Sequence, residues 1–424
     1  MILSSEHILA TTEQTLTQQI IDRRDRYMSI NYPRYPIAMV RGEGCYLEDA
    51  EGKRYLDLFA GFGAGLLGHC HPDLVRTITE QANKLWHPGN LMHTEPQALL
   101  AERIACHGFD GRSFFCHSGA DANEAAIKLA RLYGKARPGA DGKRYKVISA
   151  NDGFHGRSFG TMLATGQQKA REGFEPFLPG FVNVAYNDLM AIKHAIDVET
   201  VAVIIEPIQG EGGVNVPDDD YLPRLRELCN EHDLLMICDE VWTGCGRTGR
   251  YFAYQHWGIE PDIMTLAKGV GGGLAVGVMC AKPHIAELYN CNTQGGVKHA
   301  TTLGGNCLSM AVSVTIFDLL NRHGLVEHAA ELGQWAMERL RRFAQHCPTV
   351  KDVRGKGLMI GIELNPQAQG SPFNNVNEVV ERCMECGVLT NAIQGAVLRL
   401  APPVIISQSQ MEEGLDVIEH AIST

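Results

Sequence analysis

The chain has 424 residues, 45% of them hydrophobic and 21% charged, with a formal net charge of −11. That is the composition of a globular enzyme, and the length exceeds what one hydrophobic core usually serves, so two or more domains are expected. The acidic balance argues against a nucleic-acid binder, which needs clustered Lys and Arg, and no apolar run approaches the roughly 20 residues of a membrane span.

The first segment, Met1 to Ser29, carries Glu6, Glu13, Asp22 and Asp25 and has no apolar core of signal-peptide length, so no export is expected. Thirteen cysteines, mostly inside apolar runs, read as reduced core residues of a cytoplasmic protein. From Ala38 to Leu58 a hairpin-like pattern runs through Met39-Val40, Cys45 to Leu47 and Arg54 to Leu58, broken at Gly42-Glu43-Gly44 and Glu51-Gly52. Gly63-Ala64-Gly65-Leu66-Leu67-Gly68 matches a dinucleotide-binding fingerprint. The acid that fingerprint needs about 20 residues on is missing, because that region reads Trp86-His87-Pro88-Gly89, so a turn at a domain junction is expected instead. His69, Cys70 and His71 lie before Pro72 without a second ligand pair at zinc spacing, and no metal site is expected there.

The middle of the chain repeats a short apolar run, a glycine-containing turn and an amphipathic helix, which predicts a parallel α/β sheet. Lys146 to Ala150, Val201 to Glu206, Leu234 to Asp239 and Ile263 to Leu266 each read as a strand buried on both faces. Ahead of them, Phe114 to His117 predicts a strand that ends in Ser118-Gly119-Ala120. A helix is then expected to start at Asp121-Ala122-Asn123-Glu124 with a variant capping box. The amides of that helix start, with the Ser118 hydroxyl, form a candidate anion site, although an ordinary capped helix explains the same residues.

Asp239 ends a fully apolar strand, where a carboxylate is costly unless a cation or a proton donor meets it. The strand's carboxyl end is also where ligands sit in such sheets, and a plain N-cap or loop salt bridge remains an alternative. Lys268 follows the apolar run Ile263 to Ala267 and precedes Gly269 and Gly271-Gly272-Gly273. Desolvation there would lower its pKa and make it a nucleophile for carbonyl chemistry, whereas a surface lysine at a strand end is the ordinary reading. Taken together, a Schiff-base lysine and an acid for a pyridine nitrogen are what pyridoxal phosphate requires. Beyond Ser313 come a long helical stretch, a turn at Gly355-Lys356-Gly357, a strand at Leu358 to Leu364, a further helix and strands near Val388 and Val397. Cys383 and Cys386 fall on that helical pattern and read as core packing.

Six blocks in order resemble the class III aminotransferases, enzymes that act on terminal amines. They are His117 to Glu124, Phe154-His155-Gly156-Arg157, Glu206 to Gly213, Asp239-Glu240-Val241, Ala267-Lys268 and Thr302-Leu303-Gly304-Gly305-Asn306. The resemblance covers about residues 30 to 410. Asn90-Leu91 and Thr94-Glu95-Pro96-Gln97 are most similar to the acetylornithine aminotransferase group, with the ornithine aminotransferases next.

The resemblance implies a fold-type I transferase with a large, mostly parallel-sheet α/β domain over 66–315. Residues 316–424 would form a smaller α+β domain, which the segment 1–65 joins. It implies pyridoxal 5'-phosphate as cofactor, amino acid and 2-oxo acid substrates, and a homodimer with shared active sites. The reaction would move a terminal amine, foremost that of N2-acetylornithine, to 2-oxoglutarate. Other ω-amino acid donors, or a racemase or aminomutase on the same fold, are the alternatives. Lys268 would hold the cofactor as a Schiff base and shuttle a proton, and Asp239 would pair with the pyridine nitrogen. Val241 and Phe154 would flank the ring beside Trp242. Ser118, Gly119 and Ala120 would bind phosphate, joined by Thr302 from the neighbouring subunit. Arg399 would clamp the glutamate α-carboxylate under a movable Glu211, while Tyr32, Arg157, Glu206 and Thr301 would meet substrate. Four positions depart from the family pattern: Trp242 replaces a frequent Gln, Phe62 a Tyr, Leu303 a Phe and Cys307 a Pro.

Overall fold

The computed structural model describes residues 14–137 and 142–424; Glu6 and Glu13 of the N-terminal segment lie outside it. A seven-stranded sheet forms the centre, in the order Arg112–Cys116, Gly277–Ala281, Ile263–Leu266, Leu235–Asp239, Thr200–Ile205, Lys146–Ala150 and Phe181–Val184. Five consecutive strands, from Ile263–Leu266 to Phe181–Val184, are parallel, as their unbroken β-branched and apolar runs predict. Gly277–Ala281 runs antiparallel to both its neighbours, a reversal that the sequence pattern did not announce. Thr200–Ile205 and Leu235–Asp239 are buried at every position because helices cover both faces.

One of those helices, Gly119–Ala136, buries Ala122, Ala125, Ala126, Leu129 and Ala130. Its small residues let it lie close on the sheet: a Cβ at Gly134 would stand 2.9 Å from Val201 Cγ2. Its start differs from the expected one. Ser118, extended at φ −151, is the N-cap and accepts from the Asp121 N–H, so the helix begins two residues before Asp121. Glu124 does not close a capping box. It accepts from Ser158 Oγ and the Gly160 N–H, and so caps the neighbouring helix Phe159–Ala164.

Two small sheets complete the fold. Met39–Glu43, Tyr46–Asp49 and Arg54–Asp57 form the expected antiparallel meander, extended in parallel by Val388–Leu389. Val350–Lys356, Met359–Leu364, Val397–Leu400 and Asn391–Ile393 form the other. The first of these stands where the sequence predicts a turn around Gly355: Val-Lys-Asp-Val-Arg-Gly-Lys is polar and buries only Val350 and Val353. The glycine-rich stretch 63–68 turns the chain, and a Cβ at Gly68 would stand 2.4 Å from the Gly44 carbonyl oxygen. His69 bonds Asp57, and the His71 ring caps the helix Pro72–Lys84. Eight of the thirteen cysteines are buried, and no described helix is long and apolar enough to cross a membrane.

The helix Leu325–Ala344 joins these parts through backbone contact. A Cβ at Gly333 would stand 2.0 Å from the Gly357 carbonyl oxygen, and one at Gly357, at φ +53, would stand 2.3 Å from the Thr248 carbonyl carbon. Three backbones therefore meet with no room for a methyl group. Gly333→Ala is expected to cost about 1–3 kcal/mol through overpacking, despite the higher helix propensity of alanine. An unchanged thermal midpoint in this variant would show that the junction can relax.

Candidate active site

Asp239 ends one strand and Lys268 follows its parallel neighbour, and the carboxyl ends of both open on the same edge of the sheet. They line a cavity of about 380 Å³ together with Ser118, Gly119, Ala120, Phe154, Arg157, Glu206, Glu211, Val241 and Trp242. Eleven of the residues singled out from the sequence thus converge on one hollow. Arg399 lies directly behind it, with its side chain 0% exposed and bonded to Glu211.

Three protein donors hold the Asp239 carboxylate and leave Oδ1 room for one more. Its Oδ2 accepts from Asn123 Nδ2 and His155 Nδ1, both at 2.7 Å, and its Oδ1 from the Val241 N–H at 3.0 Å. Asn123 is oriented in turn by Thr265 Oγ1 at 2.7 Å, from the next strand. Burial opposes charge on His155, yet the bond and charge of Asp239, with Glu206 adding, raise its pKa above the ordinary value. Such a buried, doubly anchored carboxylate suits a partner that must stay protonated. The sequence assigns no role to His155 or Asn123; the only signal is their place beside Phe154 and after Ser118-Gly119-Ala120.

Burial is the main cause that lowers the Lys268 pKa, to about 8, with the Glu211 charge opposing and the Arg399 charge reinforcing it. Lys268 also holds φ +48, the left-handed region that a β-carbon disfavours, at the head of the turn Lys268–Gly271. The result is an amine that is readily deprotonated and aimed into the cavity.

At the opposite end, the first turn of the helix Gly119–Ala136 supplies amides that no helix carbonyl reaches. Two glycines bring them there. A Cβ at Gly119 would stand 2.8 Å from Val241 Cγ1, and one at Gly277 would stand 2.1 Å from the Ser118 carbonyl oxygen. Ser118 Oγ donates to Asp121 at 3.0 Å. The amine, the buried carboxylate and the amide cradle fit the aldehyde, ring nitrogen and phosphate of pyridoxal phosphate.

The remaining candidates divide. Arg157 is exposed at the cavity, its guanidinium 4.6 Å from the Phe154 ring centroid. Glu206 lines the cavity, but its oxygens accept from the Phe154 N–H at 2.8 Å and the Gly210 N–H at 2.9 Å, and burial pushes its pKa up to about 7. Tyr32, 62% exposed, lies outside the cavity. Thr301 and Thr302 line a separate surface hollow with Asn90, Leu91 and Phe114. Of the departures, Trp242 is buried against the cavity, and Phe62 sits at φ +60 with its ring edge-on to Phe59.

The family model for aminotransferase class III matches residues 27–422. The acetylornithine aminotransferase of Caldanaerobacter subterraneus is 42% identical over 95% of this chain and 99% of its own length. That of Gloeobacter violaceus is 43% identical over 93% and 95%. Among solved structures, the ornithine aminotransferase of Toxoplasma gondii, described with pyridoxal phosphate at partial occupancy, superposes with a TM-score of 0.89. It is 30% identical, over 96% of this chain and 94% of that one. The acetylornithine aminotransferase of Elizabethkingia anophelis gives 0.83 at 30% identity, over 96% and 98%. With that fold and that donor set, the chain belongs to the class III aminotransferases, fold-type I enzymes whose cofactor is pyridoxal phosphate.

Proposed function

We propose that the chain moves the terminal amine of N2-acetylornithine to 2-oxoglutarate, giving N-acetylglutamate 5-semialdehyde and glutamate. The observation that carries this reading is the ion pair of Arg399 Nη1 with Glu211 Oε1 at 2.8 Å, behind the cavity. A terminal-amine donor has no carboxylate beside its reacting carbon, whereas glutamate has one. An arginine that serves glutamate needs a substitute counter-ion when the other substrate is bound. Glu211, on the turn 210–213 and 23% exposed at its side chain, is placed to supply that charge and to leave. Relatives at about 40% identity that bear the acetylornithine aminotransferase name supply the choice of donor.

Pyridoxal phosphate, when bound, supplies the electron sink that makes the proton on the substrate's reacting carbon acidic. The Lys268 amine holds it and moves that proton, and Asp239 keeps a positive charge on the ring nitrogen. Val241, Phe154 and Trp242 wall the ring, and Ser118, Gly119 and Ala120 hold the phosphate. Arg157 receives the far carboxylate of either substrate, and Glu206 braces the loop behind Phe154; Tyr32 and Thr301, which lie outside this chain's own cavity, would reach substrate only as part of the assembled dimer. We place the enzyme in the cytoplasm as a homodimer in which Thr302 completes the partner's phosphate site. Exposed Leu91 (96%) and Val297 line that threonine's hollow, an apolar surface that a second copy would cover. A panel of amine donors with 2-oxoglutarate tests the substrate assignment: N2-acetylornithine should give the highest kcat/KM, and a clear preference for ornithine or 4-aminobutyrate would replace it.

The lowered Lys268 pKa sets a pH dependence. Below about 8 the amine is protonated and unreactive, so covalent capture of pyridoxal phosphate by the cofactor-free protein should rise tenfold per pH unit and level off above that value. Borohydride trapping and peptide mapping should place the label on Lys268. A midpoint near that of an exposed lysine, or a label elsewhere, would contradict the assignment.

Glu211→Ala removes the counter-ion and leaves Arg399 open in both half-reactions. Single-turnover rates with glutamate should gain on those with the terminal amine by about tenfold, since the closed state no longer competes with the α-carboxylate. Equal changes in both half-reactions would reject the gate.

A further inference from the structure

Two buried donors at the back of the cavity, Trp242 Nε1 and Arg399 Nη2, have no hydrogen-bond acceptor among the described residues. Leaving a buried donor unpaired is costly, so two of them on adjoining side chains mark a place for an acceptor from outside the chain. They adjoin because Arg399 lies over the indole, its guanidinium carbon 4.6 Å from the ring centroid, with Lys268 Nζ at 4.8 Å. The chain makes room for that ring. A Cβ at Gly210 would stand 3.0 Å from the indole Cγ, and one at Gly63 would stand 3.3 Å from its benzo edge. The pyrrole edge, which carries the N–H, therefore runs along Gly210, next to Glu211, whose carboxylate takes only Arg399 Nη1. Although burial pushes the Glu211 pKa up, the charges of Arg399 and Lys268 and the bond from Arg399 hold it below the ordinary value; the indole N–H points toward the same carboxylate but falls short of a hydrogen bond.

Resting on the reading of Arg399 as the α-carboxylate site, we propose that Trp242 is a specificity-determining residue that shares this site. Its indole N–H and Arg399 Nη2 together receive the α-carboxylate of the substrate once Glu211 has moved aside. An indole donates and does not accept, so it serves a carboxylate and offers nothing to the carbon of a terminal amine. Its π face meanwhile holds the guanidinium in one plane, so the arginine keeps its orientation while its counter-ion changes. The residue thus favours the glutamate side of the exchange over the terminal-amine side.

Glutarate, a dicarboxylate with neither amine nor carbonyl to react, is the probe, titrated calorimetrically into the holoenzyme. Trp242→Phe keeps the ring and removes the N–H, and should weaken glutarate binding about tenfold. Trp242→Gln restores a donor without the ring and should bind glutarate more tightly than Trp242→Phe. Wild-type affinity in Trp242→Phe, or no gain in Trp242→Gln, overturns the proposal. Arg399→Gln separates the two readings. If it loses glutarate while Trp242→Phe retains it, Arg399 keeps its role and Trp242 loses the proposed one; if Arg399→Gln also binds normally, the reading of Arg399 fails and this proposal with it.

Discussion

The site depends on keeping the Asp239 carboxylate out of water. A charge at the end of an apolar strand costs several kcal/mol unless fixed donors replace its hydration, and here three do, each from a different piece of chain. Asn123 belongs to the helix Gly119–Ala136 and is itself held by Thr265 on the adjacent strand, while the His155 backbone N–H donates to Thr165 Oγ1. The carboxylate therefore locks a helix, a loop and two strands to one sheet edge. The helix that supplies Asn123 also presents the Gly119 and Ala120 amides one turn earlier, about 6 Å along its axis. Anchoring Asp239 thereby sets the distance between the acid at one end of the cavity and the anion cradle at the other.

Charge along the back wall follows from a second economy. Lys268 and Arg399 both lie over the Trp242 ring, and Glu211 is the carboxylate beside them. Removing Glu211 without replacement would lower the Lys268 pKa further and leave the guanidinium desolvated with only carbonyl and amide partners. When a substrate carboxylate takes its place, one anion is exchanged for another and the local charge is unchanged. The proposed gate can therefore work with a small movement of one glycine-flanked side chain, because neither end state isolates a buried cation.

What the sequence disclosed has a physical pattern. Lys146–Ala150 and Ile263–Leu266 were legible to the residue because strands covered on both faces are built mostly of apolar side chains. Val350–Lys356 was not, since an edge strand alternates weakly and its glycine imitates a turn. The reversal at Gly277–Ala281 was hidden too: a buried strand reads alike in either direction. Within the site, Lys268 and Asp239 stood out because each puts a charge beside an apolar run. His155 and Asn123 did not, because a neutral polar residue in a glycine-rich motif gives no clue to which buried charge it will meet. The Ser118 cap was misplaced by three residues because Asp121 and Glu124 imitate a capping box, and only the extended backbone at Ser118 decides between them.

The residues that lie away from the cavity follow a logic of their own. Thr301 Oγ1 bonds His117 Nε2 at 2.9 Å and accepts from the Gly304 N–H at 3.2 Å, so the loop carrying Thr302 is rooted in its own chain. His117 directly precedes Ser118, and its other nitrogen bonds Asp121 at 3.0 Å, in the first turn of the cradle helix. In the proposed dimer, the threonine given to the partner's phosphate site would thus be positioned by the giver's own anion cradle. The phosphate end of one site and the loop that would complete the other thus share one support, the His117 ring between Asp121 and Thr301.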